Sequence, residues 1–283
     1  MPDKSTLLRT LLASGPALLM PDAYDALSAR IIERLGFKAI QCSGYSIALS
    51  GCCASEAELG FERNLAVTRD IVKAVSVPVM ADGEDGFGFA PVVAETVAAF
   101  VWAGAAGINL EDQVLGVPNP KRIVDRNLML DKIRAARESA RRGGVPDFVI
   151  NGRSDALVVA TDRGAGLDEA IARANLYLDA GADLAFVTGV ETLAEVKTLV
   201  RSIHGPVSIA AGVPYNIANL SVADLTACGV ARVSLPTIAI QATIRALNRA
   251  LRGIRDSQSF SEVREEDLLC SAEEMSRLWA SGQ

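Results

Sequence analysis

Four times along the chain, a glycine set among small residues runs directly into an apolar stretch: LGFKAI from residue 35, AGAAGI from 103, AGADLA from 180 and CGVARV from 228. Glycine suits a helix C-terminus because it enters the left-handed cap conformation without a Cβ clash, and the short apolar run after it reads as a buried strand. The spacing predicts strands over 17–20, 38–42, 77–81, 106–110, 147–151, 184–187, 207–211 and 230–234. Helices are predicted over 24–36, 65–75, 91–103, 127–142, 167–180, 193–203, 222–227 and 237–252. About eight strand-helix units over roughly 235 residues match a closed parallel (β/α)8 TIM barrel of the α/β class. A doubly wound open sheet shows the same alternation. The barrel is preferred because charged residues end strand after strand, and in a barrel those ends meet on one face.

The most heavily charged strand end is VMADGEDGFG, residues 79–88, where an apolar run stops at Asp82, Glu84 and Asp85 among three glycines. Clustered carboxylates suit a hard cation such as magnesium or manganese, although a solvated acidic turn has the same composition. Other strand ends carry Glu111 and Asp112, and Arg153 and Asp155. Between the second strand and its helix lies SGCCASEAELGFERN, residues 50–64, which reads as a long polar loop,.

The net charge of -6 and the lack of a Lys/Arg run exclude a nucleic-acid surface; Arg137, Arg141 and Arg142 fit one solvated helix face,. The apolar region 89–110 is broken by Glu95, Gly104 and Gly107, so no membrane span is expected,. The N-terminus lacks the pattern of a signal peptide, which points to the cytoplasm,. Five cysteines without CxxC spacing argue against structural zinc and against a disulfide framework; Cys52 and Cys53 read as small buried hydrophobes or as site-lining thiols,. His204, at the N-terminal end of a strand, belongs to the face that serves stability,. The barrel is expected to occupy residues 1–254. A helical tail, 255–283, presents Leu268, Leu269, Met275, Leu278 and Trp279, which pack either under the barrel or on a neighbouring subunit,.

The strand ends resemble those of the isocitrate lyase and phosphoenolpyruvate mutase superfamily from about Leu8 to Leu251. The likeness is carried by PDAYDALSARIIERLGFKAI (21–40), the Ser43-Gly44 pair, ADGEDGFG (81–88), NLEDQ (109–113) and NGRSDAL (151–157). It implies a magnesium-dependent enzyme, manganese being an alternative ion, that forms or consumes the enolate of a 2-oxo acid. It further implies Asp82 as a direct metal ligand, with Glu84 and Glu111 bound through water. Ser43, Gly44 and Tyr45 would hold the substrate carboxylate, and Arg153 would complete the anion site. Asp85 is left to shape the turn. Glu58 resembles a family aspartate near the metal; it reads as a metal-water ligand, a general base or an exposed helix-start acid, with Tyr45, Cys52 and Cys53 as other acid-base candidates.

Three departures stand out. Glu84 replaces an aspartate. The loop after the fourth strand, QVLGVPNPKRIVD (113–125), lacks the cysteine and histidine of the lyases and matches the mutase loop only loosely at Asn119, Pro120 and Lys121. Thr188 and Ala210 or Ala211 stand where lyases hold a far carboxylate. The expected activity is a lyase acting on a small 2-hydroxy or 2-oxo acid, of the 2-methylisocitrate or dimethylmalate kind. The alternatives are a phosphonopyruvate or carboxyphosphonoenolpyruvate mutase or hydrolase, an oxaloacetate hydrolase or decarboxylase, and a non-catalytic acid-binding barrel. A homo-oligomer, dimer or tetramer, is expected from the unplaced tail and the likeness.

Overall fold

The structure, a computed structural model, describes residues 3–117 and 121–279. After helix α1 (Lys4–Ala13) come β1 (Leu18–Ala23), α2 (Ala26–Arg34), β2 (Ile40–Cys42), α3 (Gly44–Ser50), α4 (Glu56–Ala74), β3 (Val79–Asp82), α5 (Ala90–Trp102) and β4 (Gly107–Glu111). The second half runs α6 (Arg126–Arg142), β5 (Val149–Ser154), α7 (Ala156–Val159), α8 (Arg163–Asp179), β6 (Leu184–Val187), α9 (Leu193–Ser202), β7 (Val207–Ala210), α10 (Val222–Ala227), β8 (Arg232–Leu235) and α11 (Ile238–Ser257). The tail adds α12 (Ser261–Glu265) and α13 (Ala272–Trp279). All eight strands pair in parallel in sequence order, and β1 also pairs with β8, which closes the expected (β/α)8 barrel.

Two local readings change. In the polar stretch 50–64 a turn over 51–55 leads into helix, because Ser55 caps α4 by accepting from the Glu58 amide at 3.2 Å, as Ser43 caps α3 through the Ser46 amide; Gly60, at φ 69° and ψ 168°, then kinks α4,. Those serines supply the capping oxygens that a loop reading leaves without a role. Strand β5 extends past Asn151 to Ser154, because its ladder with β4 and β6 satisfies the backbone through Arg153,. Arg153 is therefore set in register with Glu111.

The barrel interior changes in character from bottom to mouth. Helix α1 plugs the bottom, with Leu8 fully buried in a cluster with Leu18, Met20, Met80, Val149 and Leu184. Above it lies a polar layer in which fully buried Arg232 donates to Gln41 Oε1 at 2.7 Å and to Ser208 Oγ at 2.9 Å. Asn151 donates to Asn109 at 2.6 Å in the same interior. Burial lowers the Arg232 guanidinium to about 10,. The acids lie beyond this layer.

Arg137 departs from the solvated face expected for it. Its guanidinium is largely buried and donates to the carbonyls of Phe148 and Gly181 and to Asp183. Asp183 also pairs with Arg9 of α1 at 2.6 Å and accepts from the Ile150 amide at 2.7 Å. One carboxylate thus ties α1, α6 and β5 together at the bottom. His204 stands near this end, exposed, with Nε2 3.1 Å from Asp179. The tail does not plug the barrel: α12 packs on α11 with Val263 buried, α13 touches α2, and Leu269 and Met275 remain 70% and 47% exposed. Helix α11 runs through Ser257, across the boundary expected at residue 254.

Asp183→Ala leaves Arg137 buried without its counterion and an amide unpaired. It should lower unfolding free energy by about 3 kcal/mol, read as a reduced urea midpoint with an unchanged m-value.

Candidate active site

A cavity of about 350 Å³ opens at the C-terminal ends of the strands. It is lined by Asp22 from β1, Ser43 and Tyr45 after β2, Glu56 at the start of α4, Asp82 and Glu84 at the end of β3, Asn109 and Glu111 from β4, and Arg153 from β5. Parallel strands all end on the same face, so carboxylates far apart in the chain converge there.

Arg153 is the central cation. Its Nη1 lies 2.5 Å from Glu111 Oε2 and its Nε 3.0 Å from Asp155 Oδ2. Burial pushes the Asp155 carboxyl up, but the Arg153 guanidinium outweighs this and holds it below the ordinary range,. Glu111, Asp82 and Glu84 lie above that range, chiefly through burial; for Glu84, repulsion from Asp82 and Glu111 adds to it. Burial takes Asp22 up to about 8.

The oxygens suit a divalent cation. Asp82 Oδ1 and Glu84 Oε1 are buried without a hydrogen-bond partner, in a donor set made of hard carboxylates,. Among the described residues, no three His, Cys, Asp or Glu side chains close on one point. Glu84 holds a left-handed backbone with φ 49°, and Thr237, also at the cavity, has φ 60°. Such strain in non-glycine residues costs on the order of 1 kcal/mol each and gathers at functional sites.

The other expected residues divide. The Gly44 amide donates to Asp82 Oδ2 at 2.8 Å, so it positions the acid here. Ser43 is buried and caps α3, while Tyr45 is 53% exposed at the rim. Glu58 is not in the lining: its carboxylate turns back to accept from the Ala54 amide at 2.7 Å, and Glu56 reaches the cavity instead. Two residues apart on a helix, the two acids point to different sides, which the sequence does not resolve without the start of α4. Asp85 shapes the turn, accepting from the Phe87 amide at 2.9 Å. Cys52 is exposed, contrary to the buried reading, and neither it nor Cys53 lines the cavity.

Sequence reasoning assigned no role to Asp112, which is fully buried behind the cavity. It accepts from Ser154 Oγ at 2.8 Å, the Asp155 amide at 2.9 Å and Tyr177 Oη at 2.7 Å, and it pairs with Arg173 at 3.2 Å. Its backbone carbonyl receives the Val124 amide at 2.8 Å, so the network joins the loop after β4 to the strand that carries Arg153. Lys121 of that loop also lines the cavity, while Pro118, Asn119 and Pro120 lie outside the described residues.

A Cβ added at Gly44 would fall 1.7 Å from Glu84 Oε1. The clash is with the far end of a side chain, so Gly44→Ala should fold, displace Glu84 and abolish the rise in Tm on adding magnesium, as followed by circular dichroism. The raised carboxyls bind protons more tightly folded than unfolded. Metal-free stability should therefore fall as pH rises from the ordinary carboxylate range towards about 8, the value for Asp22,. Because a cation needs the ionised acids, the increase in Tm given by magnesium should grow over the same interval in a pH series of thermal melts.

Residues 8–255 match the phosphoenolpyruvate phosphomutase family. The chain is 34% identical to 2,3-dimethylmalate lyase of Eubacterium barkeri over 254 residues, covering 85% of this chain and 82% of that one. It is 33% identical to the chloroplastic carboxyvinyl-carboxyphosphonate phosphorylmutase of Arabidopsis thaliana over 269 residues, covering 90% and 75%. The structure of a phosphonopyruvate hydrolase in complex with oxalate and magnesium superposes with a TM-score of 0.85 at 30% identity, over 98% of this chain and 94% of that one. With the closed barrel and acidic mouth in place, these likenesses make the chain a member of the phosphoenolpyruvate mutase and isocitrate lyase superfamily of enzymes that act on small carboxylic acids.

Proposed function

We propose that the chain is a magnesium-dependent lyase that breaks a carbon-carbon bond in a small 2-hydroxy or 2-oxo acid through an enolate. The observation that carries this reading is the pair of orphaned buried oxygens, Asp82 Oδ1 and Glu84 Oε1, beside Glu111 and the braced cation Arg153. Asp82 would hold magnesium, or manganese, directly, with Glu84 and Glu111 bound through water. The ion supplies fixed positive charge where an enolate oxygen develops. Arg153 would offer a planar, permanently charged donor to the substrate carboxylate, and Ser43 and Tyr45 also line the cavity,. Glu56, which lines the cavity, would take the proton of a substrate hydroxyl as the bond breaks,.

A second reading, cleavage of a carbon-phosphorus bond or hydrolysis of an oxaloacetate-like acid, is favoured by the loop after β4. Its described residues, 113–117 and 121–125, contain no cysteine or histidine to act as the proton donor a lyase needs. The apolar residues left exposed on α11, among them Leu247 at 56% and Leu251 at 63%, support a homo-oligomer.

The test measures release of 2-oxo acid from a panel of hydroxy acids with and without magnesium, alongside phosphorus NMR with phosphonopyruvate. Release should require magnesium and should fall about 100-fold in Glu56→Gln. Turnover of phosphonopyruvate without 2-oxo acid release from any hydroxy acid would select the second reading.

A further inference from the structure

Six carboxylates line the cavity: Asp22, Glu56, Asp82, Glu84, Glu111 and Asp155. Three of them, Asp82, Glu84 and Glu111, are assigned to the ion, Asp155 braces Arg153, and Glu56 is assigned to the substrate hydroxyl. Asp22 has no part in that scheme. It lies near the end of β1, in register with Gln41 of β2, and in the closed ring β1 stands opposite β5, the strand of Arg153. Its side chain is buried, and Ser234 Oγ of β8 donates to its Oδ1 at 3.3 Å. Among the described residues no cation pairs with it directly. Arg153 is engaged by Glu111 and Asp155, and Arg232, sealed beneath the cavity, by Gln41 and Ser208. Burial takes the Asp22 carboxyl up to about 8 and Asp82 adds to this, while Arg232, Ser234 and Arg153 act against it, so it keeps its proton at neutral pH,.

Building on the enolate reading, we infer that Asp22 is the general acid of the site, the group that gives a proton to the carbon left with the electron pair when the substrate bond breaks. In the lyase reaction Glu56 takes the hydroxyl proton and the oxygen's electrons form the carbonyl of the 2-oxo acid. The carbon-carbon bond breaks and its pair moves onto the leaving fragment. The O–H bond of Asp22 then breaks as the new C–H bond forms, and Asp22 is left as a carboxylate. Glu56 has gained one proton and Asp22 has lost one, and exchange with water restores both before the next turnover. Cleavage of a carbon-phosphorus bond leaves the same kind of enolate and draws on the same proton. Asp22 thus supplies what the described part of the loop after β4 lacks, having neither cysteine nor histidine. The Ser234 hydroxyl holds Oδ1 in place, and the fixed charge of Arg232 beneath offsets the negative charge that appears on Asp22 after transfer,. The phenols that line the same cavity, Tyr45 and Tyr215, are 53% and 43% exposed, whereas Asp22 is the donor sealed from water.

The test reads turnover and protonation separately on the full chain. Asp22→Asn is close in size and keeps an acceptor for Ser234, so it should fold and bind oxalate with magnesium as tightly as the unaltered protein in titration calorimetry. Its release of 2-oxo acid from hydroxy acids, or its turnover of phosphonopyruvate, should fall about 100-fold. Infrared difference spectra of the magnesium-oxalate complex at neutral pH should show the carbonyl stretch of a protonated carboxyl in the unaltered protein and its loss in the variant. Asp22→Ala makes the same comparison should Asp22→Asn not fold. Undiminished turnover in the folded variant, a protonated-carboxyl band that survives the substitution or is absent from the start, or a loss of oxalate affinity would each overturn the inference. Turnover that survives in Asp22→Asn but is lost in Tyr215→Phe or Tyr45→Phe would place the donor at the rim instead. If the unaltered protein turns over neither hydroxy acids nor phosphonopyruvate, the enolate reading fails and the inference falls with it; turnover that does not depend on Asp22 sinks the inference alone.

Discussion

Arg153 lies between Glu111 and Asp155, within ion-pair reach of both, at the point where strands four and five end in register. Carboxylates crowded into a low-dielectric mouth repel one another and resist ionisation, and a guanidinium inserted among them is what allows some to stay charged. Burial pushes Glu111, Asp82 and Glu84 above their ordinary range, Glu111 in spite of its pairing with Arg153, whereas Asp155 is held below its own by Arg153 together with the hydrogen bonds it accepts from Arg153 and Thr188. The remaining excess of negative charge and unpaired oxygen is the site's chemical potential: it is stable only with protons or with a divalent cation.

The rest of the barrel serves this arrangement. Helix α1 and the Asp183 junction close the opposite end, so the interior is apolar below, polar but uncharged except for Arg232 in the middle, and acidic above. The buried Asp112 network then fixes the backbone of β5 against the loop that follows β4. An active site at the mouth therefore has a rigid wall on the β5 side and a loop edge at Lys121.

Much of the fold was legible because its signals are local. Helix-ending glycines and apolar runs mark the strand-helix units without knowledge of their partners, and strands that end in charge betray a common face. What was misread depended on partners far along the chain. Arg137 looks like one of three solvated cations until Asp183, on the far side of α8, is brought to it. The stretch 50–64 looks like a loop because Ser55 and Glu56 are polar, and its helical character lies in capping geometry. Within the site, the composition indicated Asp82, Glu84, Glu111 and Arg153 as a charged group. It could not separate Glu56 from Glu58, since two acids two residues apart differ only in where α4 starts and turns.

By itself, then, the sequence determined the repeating strand-helix unit, the closed barrel it builds and the acidic character of its mouth, because periodicity, caps and strand-end charge act over a few residues. Tertiary structure alone decided which acids face one another and which oxygens lose their partners. Those properties arise from closing the sheet, which brings strand ends far apart in the chain onto one mouth, and from the burial that makes every unpaired oxygen count.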